Sequence, residues 1–209
     1  LRNPLPPVLT ALDLIKGADG DLTVIERCRQ MMERQLGHTV RLVDDLLDLA
    51  RGSLGGGFVV DRNSDAPLTP VLEQVVAELR QIAPEREVAV SIHIEEPVYC
   101  DRNRIGQLAS NLLANALTHG AADRPIEFDA VTSDGMFILS VANAGSPIPP
   151  NVIERLFQPF FRGAARASRN GLGLGLYISS EIAKGHEGTL EVTSTAEETR
   201  FTFTMEATA

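Results

Sequence analysis

Apolar positions follow two regimes on either side of a Gly-rich stretch. In residues 1–16, Leu1, Leu5, Val8, Leu12 and Ile15 recur at intervals of four and three, the spacing of one helical face. Gly17-Ala-Asp-Gly20-Asp21 reads as a turn, with Asp21 placed to cap a second helix. From Leu22 to Arg51 a heptad seam runs through Leu22, Ile25, Arg29, Met32, Leu36, Thr39, Val43, Leu46 and Ala50. Arg29 and Thr39 interrupt it, and a second stripe of Cys28, Met31, Leu42 and Leu49 widens the apolar face. A hairpin this amphipathic cannot bury both faces alone, and a homodimeric four-helix bundle is the economical solution. Pro4, Pro6 and Pro7 each remove a backbone donor. Either the first turns kink around them or the helix begins only after Pro7.

Gly52-Ser-Leu-Gly-Gly-Gly57 is a flexible linker by composition. Beyond it Phe58-Val-Val60 predicts a short strand, Pro70–Ile82 an amphipathic helix, Val88–Ile94 an alternating strand and Pro97–Cys100 a shorter one. Asp101-Arg102-Asn103 caps a helix whose buried side is Ile105, Leu108, Leu112, Leu113 and Ala116. Ile126–Val131 and Met136–Ala142 form a hairpin around Ser133-Asp-Gly135, and Thr189–Ser194 with Arg200–Met205 a second. Helices interleaved with a mixed, mostly antiparallel sheet imply a two-layer α/β sandwich. The organisation expected is therefore a helical hairpin over 1–51, a linker over 52–57 and an α/β domain over 58–209.

The chain's 209 residues, 44% apolar, suffice for one or two cored domains. A net charge of −9 argues against a nucleic-acid partner, which needs a basic face. No run approaches the ~20 apolar residues of a membrane span. Cys28 and Cys100 lack metal or redox spacing and read as small core residues of a reducing, cytoplasmic compartment, with membrane anchoring of the parent protein left open. The four His are scattered, which disfavours a His-based metal site.

The chemistry-bearing residues come in a fixed order. Asn111 and Asn115 lie one helical turn apart, so their amides share a face. A carboxamide oxygen is a hard neutral ligand suited to Mg²⁺, which takes its remaining ligands from water and phosphate. Two exposed polar residues on an amphipathic helix would look the same. Further along come the run Asn143-Ala-Gly145-Ser-Pro147-Ile148-Pro149, then Leu156-Phe157-Gln-Pro-Phe160-Phe161, then Gly171-Leu172-Gly173-Leu174-Gly175-Leu176 at the start of a helix. Alternate glycines bring backbone N–H groups close to an anion, and a helix N-terminus favours negative charge.

That order resembles the ATP-binding domain of sensor histidine kinases, of phytochrome-like or PAS-linked type, within the wider class shared with gyrase, Hsp90 and MutL ATPases. Asn111–His119 looks like the N box, Asn143–Pro147 the first glycine box, Leu156–Phe161 the F box and Gly171–Gly175 the second glycine box. Leu1-Arg2-Asn3-Pro4-Leu5 resembles the residues just after a phospho-accepting His, which the resemblance places two residues before Leu1. It implies ATP and Mg²⁺ as cofactors, Asn115 as the main Mg²⁺ ligand and Asn111 in support. It further implies nucleotide contacts from His119, Asn143, Gly145, Pro147, Ile148, Phe157, Phe160, Arg162 and residues Gly171, Leu172, Gly173, Leu174, Gly175 and Leu176. Asn3 would orient water for dephosphorylating a response regulator receiver domain. An upstream sensor domain and a homodimer through residues 1–51 complete the implied partners.

The departures sharpen the reading. ATP-hydrolysing cousins carry a Glu where Asn111 stands, and an amide cannot serve as general base, which favours phosphoryl transfer to a protein nucleophile over hydrolysis. The usual Asp of the first glycine box is Asn143, so adenine is met by a neutral acceptor. Thr118 stands where relatives have Lys or Arg, and Thr195–Thr199 lacks a third glycine box. Histidine kinase core is the expected function. A nucleotide-binding pseudokinase, acting as phosphatase or dimeric scaffold, is the alternative.

Overall fold

Contacts divide the chain into two units, Leu1–Asp48 and Leu49–Ala209. The computed structural model describes residues 5–18, 21–53, 58, 60–63, 66–161 and 172–208. In the first unit α1 spans Leu5–Lys16 and α2 begins at Leu22, running to Ser53 in the second unit. Asp21 caps α2 as its sequence position predicts, its Oδ1 accepting from the N–H groups of Thr23 (2.8 Å) and Val24 (3.3 Å). Pro6 and Pro7 lie inside the first turn of α1, so the helix does not wait until after them. Their missing N–H groups would have had no intrahelical partner there. Arg29 breaks the seam because it belongs to a charged face, donating to Glu26 at 2.6 and 2.8 Å and to Glu33. Leu9, Leu12, Leu14, Leu36, Val40, Val43, Leu46 and Leu47 remain exposed.

The second unit is an open five-stranded sheet covered by helices. Its elements are α3 (Thr69–Ile82), β1 (Val88–His93), α4 (Arg102–His119), β2 (Ile126–Ser133), β3 (Met136–Asn143), α5 (Pro150–Ile153), α6 (Gly175–Gly185), β4 (Thr189–Ser194) and β5 (Thr199–Glu206). Strand order is β1-β2-β3-β5-β4, with β1 parallel to β2 and every other pair antiparallel. Period-two alternation sends Phe128, Phe137, Phe201 and Phe203 inward, where they form one core with Leu72 of α3, Leu108, Leu112 and Leu113 of α4, and Ile178 and Ile182 of α6. Each such fully buried side chain contributes about 1.5–3 kcal/mol. The β2–β3 turn places Asp134 and Gly135 at φ 53° and 75°, the two positive φ angles of a tight hairpin.

Two expected strands are corrected. Pro97–Cys100 forms no ladder, and of Phe58–Val60 the described Phe58 and Val60 lie outside any strand, Val59 being outside the described residues. An isolated antiparallel bridge joins Asn63 to Cys100, and the Tyr99 N–H donates to the Ala207 carbonyl at 2.7 Å. The apolar residues there pack as side chains instead: Val98 and Cys100 are buried, and Phe58 rests on the core. Cys28 and Cys100 are buried free thiols, as expected, and burial pushes Cys100 up to about 11.

One buried histidine ties the ends of two site-bearing helices together. His186 comes directly after α6, its Nε2 accepting from the Asp101 N–H at 3.0 Å while Nδ1 donates to the Ile182 carbonyl at 2.8 Å. Asp101 in turn caps α4, Oδ1 accepting from the Arg104 N–H at 3.1 Å. Burial lowers the His186 pKa, which keeps the ring neutral and its Nε2 an acceptor.

Candidate functional site

The site is built where the C-terminal half of α4 meets the N-terminus of α6. Asn111 and Asn115, both half-buried, project one turn apart. Asn111 Nδ2 donates to the Gly175 carbonyl at 3.2 Å, and Ser179 Oγ donates to the same oxygen at 2.9 Å. A carboxamide that uses its N–H in this way has its oxygen available as acceptor. At the other helix, α6 opens at Gly175 with Leu174 as its N-cap and no side-chain cap. The first N–H groups of a helix opened in this way suit an anion. Gly173, just upstream, has φ +74°, a backbone region that an L side chain enters only with strain. Leu172 and Leu176 pack partly into the core, and Leu174 is buried.

The end of β3 meets the end of α4. Asn143 is buried, its Nδ2 donating to the Ala144 carbonyl at 3.2 Å. The Ala144 carbonyl also accepts from the Ala121 N–H at 2.7 Å, and a Cβ on Gly145 would stand 3.2 Å from the His119 carbonyl. His119, exposed, is the last residue of α4. The loop beyond is pinned at Ile148, whose N–H donates to Ser194 Oγ at 2.9 Å, while Pro147 is exposed. Phe157 packs edge-on against Phe201, centroids 6.4 Å apart. Phe160 is exposed with φ 62°, and Phe161 carries the Arg155 guanidinium 4.7 Å above its ring. Asn3, Arg162 and Gly171 lie outside the described residues.

Residues 100–209 match the histidine kinase-, DNA gyrase B-, and HSP90-like ATPase family. The chain belongs to this family.

Among relatives of the chain, the bacteriophytochrome of Pseudomonas aeruginosa is 34% identical over 92% of the chain and 26% of its own length. Sensor histidine kinase MtrB of Mycolicibacterium paratuberculosis is 30% identical over 91% of the chain and 34% of its length. The chain therefore spans about a quarter to a third of these relatives. Two solved structures share the fold. Histidine kinase AdeS of Acinetobacter baumannii has TM-score 0.66 at 21% identity, covering all of this chain and 97% of that one. Full-length ShkA in complex with AMPPNP has TM-score 0.70 at 23% identity, covering all of this chain and 44% of that one.

The donor set on α4 is chemically suited to a magnesium nucleotide. Among the described residues no three His, Cys, Asp or Glu side chains gather as a metal site. A cation at α4 would rely on the Asn115 and Asn111 amide oxygens together with phosphate and water, the ligands Mg²⁺ prefers. Thr118 offers no replacement for a phosphate-binding cation, since its hydroxyl donates to the Ala114 carbonyl at 2.8 Å. Sequence reasoning missed two residues that hold this site. His186 has the look of an ordinary helix-end residue, and Arg86 sits in the charged run Glu85-Arg86-Glu87, which reads as a solvated turn.

Proposed function

We propose that the chain is the catalytic core of a two-component sensor histidine kinase. It binds Mg·ATP between α4 and α6 and directs the γ-phosphoryl group to a histidine, from which it passes to a response regulator aspartate. The observation that carries this reading is the Asn111–Gly175 bond, which sets two amide-bearing turns of α4 against an uncapped, glycine-led helix N-terminus. Mg·ATP, when bound, supplies the phosphoryl group. Asn115, aided by Asn111, would hold the cation, the α6 N-terminus the phosphates, and Asn143 the adenine. With Asn rather than Glu at 111, no carboxylate at that position activates water, which favours transfer over hydrolysis.

The exposed apolar positions of α1 and α2 support a homodimer built through residues 1–51. The relation to sensor kinases, and the likeness to histidine kinase ThkA solved with response regulator TrrA (TM-score 0.64, 21% identity, 99% of this chain and 58% of that one), support a receiver domain as partner. A pseudokinase reading draws on Asn143 and on the Thr118 hydroxyl being bound to its own helix.

The test is phosphoryl transfer from γ-labelled Mg·ATP to this chain and to one extended upstream through the expected histidine. Acid-labile, base-stable label on the longer chain only is the expected result. Absence of label on both, with no nucleotide binding by calorimetry, would overturn the kinase reading and leave the scaffold.

A further inference from the structure

Arg86 sits just before β1 and is 9% exposed, among the few buried charged residues of the unit. Its Nη1 donates to the Ala121 carbonyl. Its Nε and Nη2 are buried with no hydrogen-bond partner, the only such side-chain atoms among the described residues. A buried donor left unpaired is unfavourable by about 1–3 kcal/mol, more for a charged group, so two such nitrogens on one guanidinium need a reason. Their location supplies it. An ideal Cβ on Gly120 would lie 2.8 Å from Arg86 Nη2, 3.1 Å from Asn143 Cβ and 2.5 Å from the Ala116 carbonyl. The guanidinium thus lies under the C-terminal end of α4, where the helix dipole favours a cation, and adjoins residue 143 across that glycine.

We propose that Arg86 is a positioning residue that makes a neutral side chain at 143 necessary for nucleobase binding. This rests on the nucleotide-binding reading above. The two unpaired nitrogens, Nε and Nη2, carry three N–H donors in search of an acceptor. Asn143 is uncharged and donates from Nδ2 to the Ala144 carbonyl, a bond that holds its side chain in place without the guanidinium. A carboxylate at 143 would be drawn to the guanidinium in a charge-assisted pair and turned from the base. A charged acceptor, which would otherwise strengthen a bond to an exocyclic amino group, therefore brings no gain while Arg86 is present.

The experiment is a double-mutant cycle over Asn143→Asp and Arg86→Met, with Arg86→Lys as a second background should the Met variant fold poorly. Lys keeps the charge and a single reach toward Ala121 but not the fork. Two readouts are taken, thermal midpoint without nucleotide and Mg·ATP affinity by calorimetry. With Arg86 present, Asn143→Asp raises the midpoint by about 2–4 °C and weakens Mg·ATP binding. Without the guanidinium, the same change lowers the midpoint and tightens ATP about fivefold relative to the Asn143 background. Equal effects of Asn143→Asp in all backgrounds on both readouts would overturn the proposal. If unsubstituted chain binds no ATP, the nucleotide reading fails, while the midpoint coupling still decides whether Arg86 pairs with an acid at 143.

Discussion

Asn111 and Gly175, 64 positions apart, are joined by one amide-to-carbonyl bond of 3.2 Å. Through it one of the two asparagines proposed to hold the cation and the first residue of α6 are fixed to each other. Asn111→Leu removes this bond and leaves one carbonyl with Ser179 alone, so a stability loss of about 1 kcal/mol is expected. Mg·ATP affinity should fall about tenfold in the same variant, measured by calorimetry.

Asn115→Ala should separate stability from chemistry. The side chain is half-buried on the open side of α4, so thermal denaturation should change little. Phosphotransfer in the upstream-extended chain should fall by roughly 100-fold or more, and raising Mg²⁺ should not restore it. Recovery of activity at high Mg²⁺ would assign the cation elsewhere.

The His186 clamp predicts a pH dependence. Burial holds the folded-state pKa below the ordinary 6.5, against a raising influence from the Ile182 carbonyl and Asp101, with Arg62 lowering it. Between these two values the unfolded chain binds the extra proton and the folded chain does not. Stability is therefore complete above 6.5 and declines as pH falls from 6.5 toward the lower folded value. Glu198, lowered from 4.5 by its bond to Arg200, contributes stability that is lost only below 4.5, so a decline that begins at 6.5 belongs to His186. Thermal midpoints between about pH 7.5 and 5.5 should fall for this chain and stay nearly flat for His186→Gln.

Gly173 is held at φ +74° directly before the buried Leu174. Gly173→Ala forces a Cβ into that conformation at about 1–2 kcal/mol, read as a midpoint decrease of about 2–8 °C. Gly37, with open space around its Cβ, is the control, and Gly37→Ala should stabilise α2 slightly.

Leu36 and Val43 are exposed on α2, on the seam expected to be covered by a second chain. Charges there (Leu36→Glu with Val43→Glu) should convert a dimer to a monomer in light scattering, while ATP affinity stays within about twofold. A dimer that survives both charges would place the interface elsewhere.

Legibility of the sequence tracked locality. The Asp21 and Asp101 caps, the Asp134-Gly135 turn and the buried side of α4 were readable because each depends on a few neighbouring residues. The Asn and glycine runs were readable as a set because their order along the chain is itself informative. Pro97–Cys100 misled because β-prone apolar residues also serve where backbone pairing stops at single bonds, here Tyr99 to Ala207 and the Asn63–Cys100 bridge, short of a ladder. Arg86 and His186 were missed for a further reason. Their partners, Ala121 and Asp101, lie 35 and 85 positions away, and neither residue type announces burial.

The pairing of β3 with β5 has a consequence for how this domain can change over time. Asn143 is registered between Ile126 on one side and Thr199 on the other, so both ends of the intervening chain are clasped by the same ladder. The closure entropy of such a loop grows only logarithmically, about 0.6 kcal/mol for each doubling of length. Changes in the length of the connection between Asn143 and Thr199 therefore leave Asn143 in register. The connection can vary among descendants while the junction of β3 with its two neighbours is inherited intact.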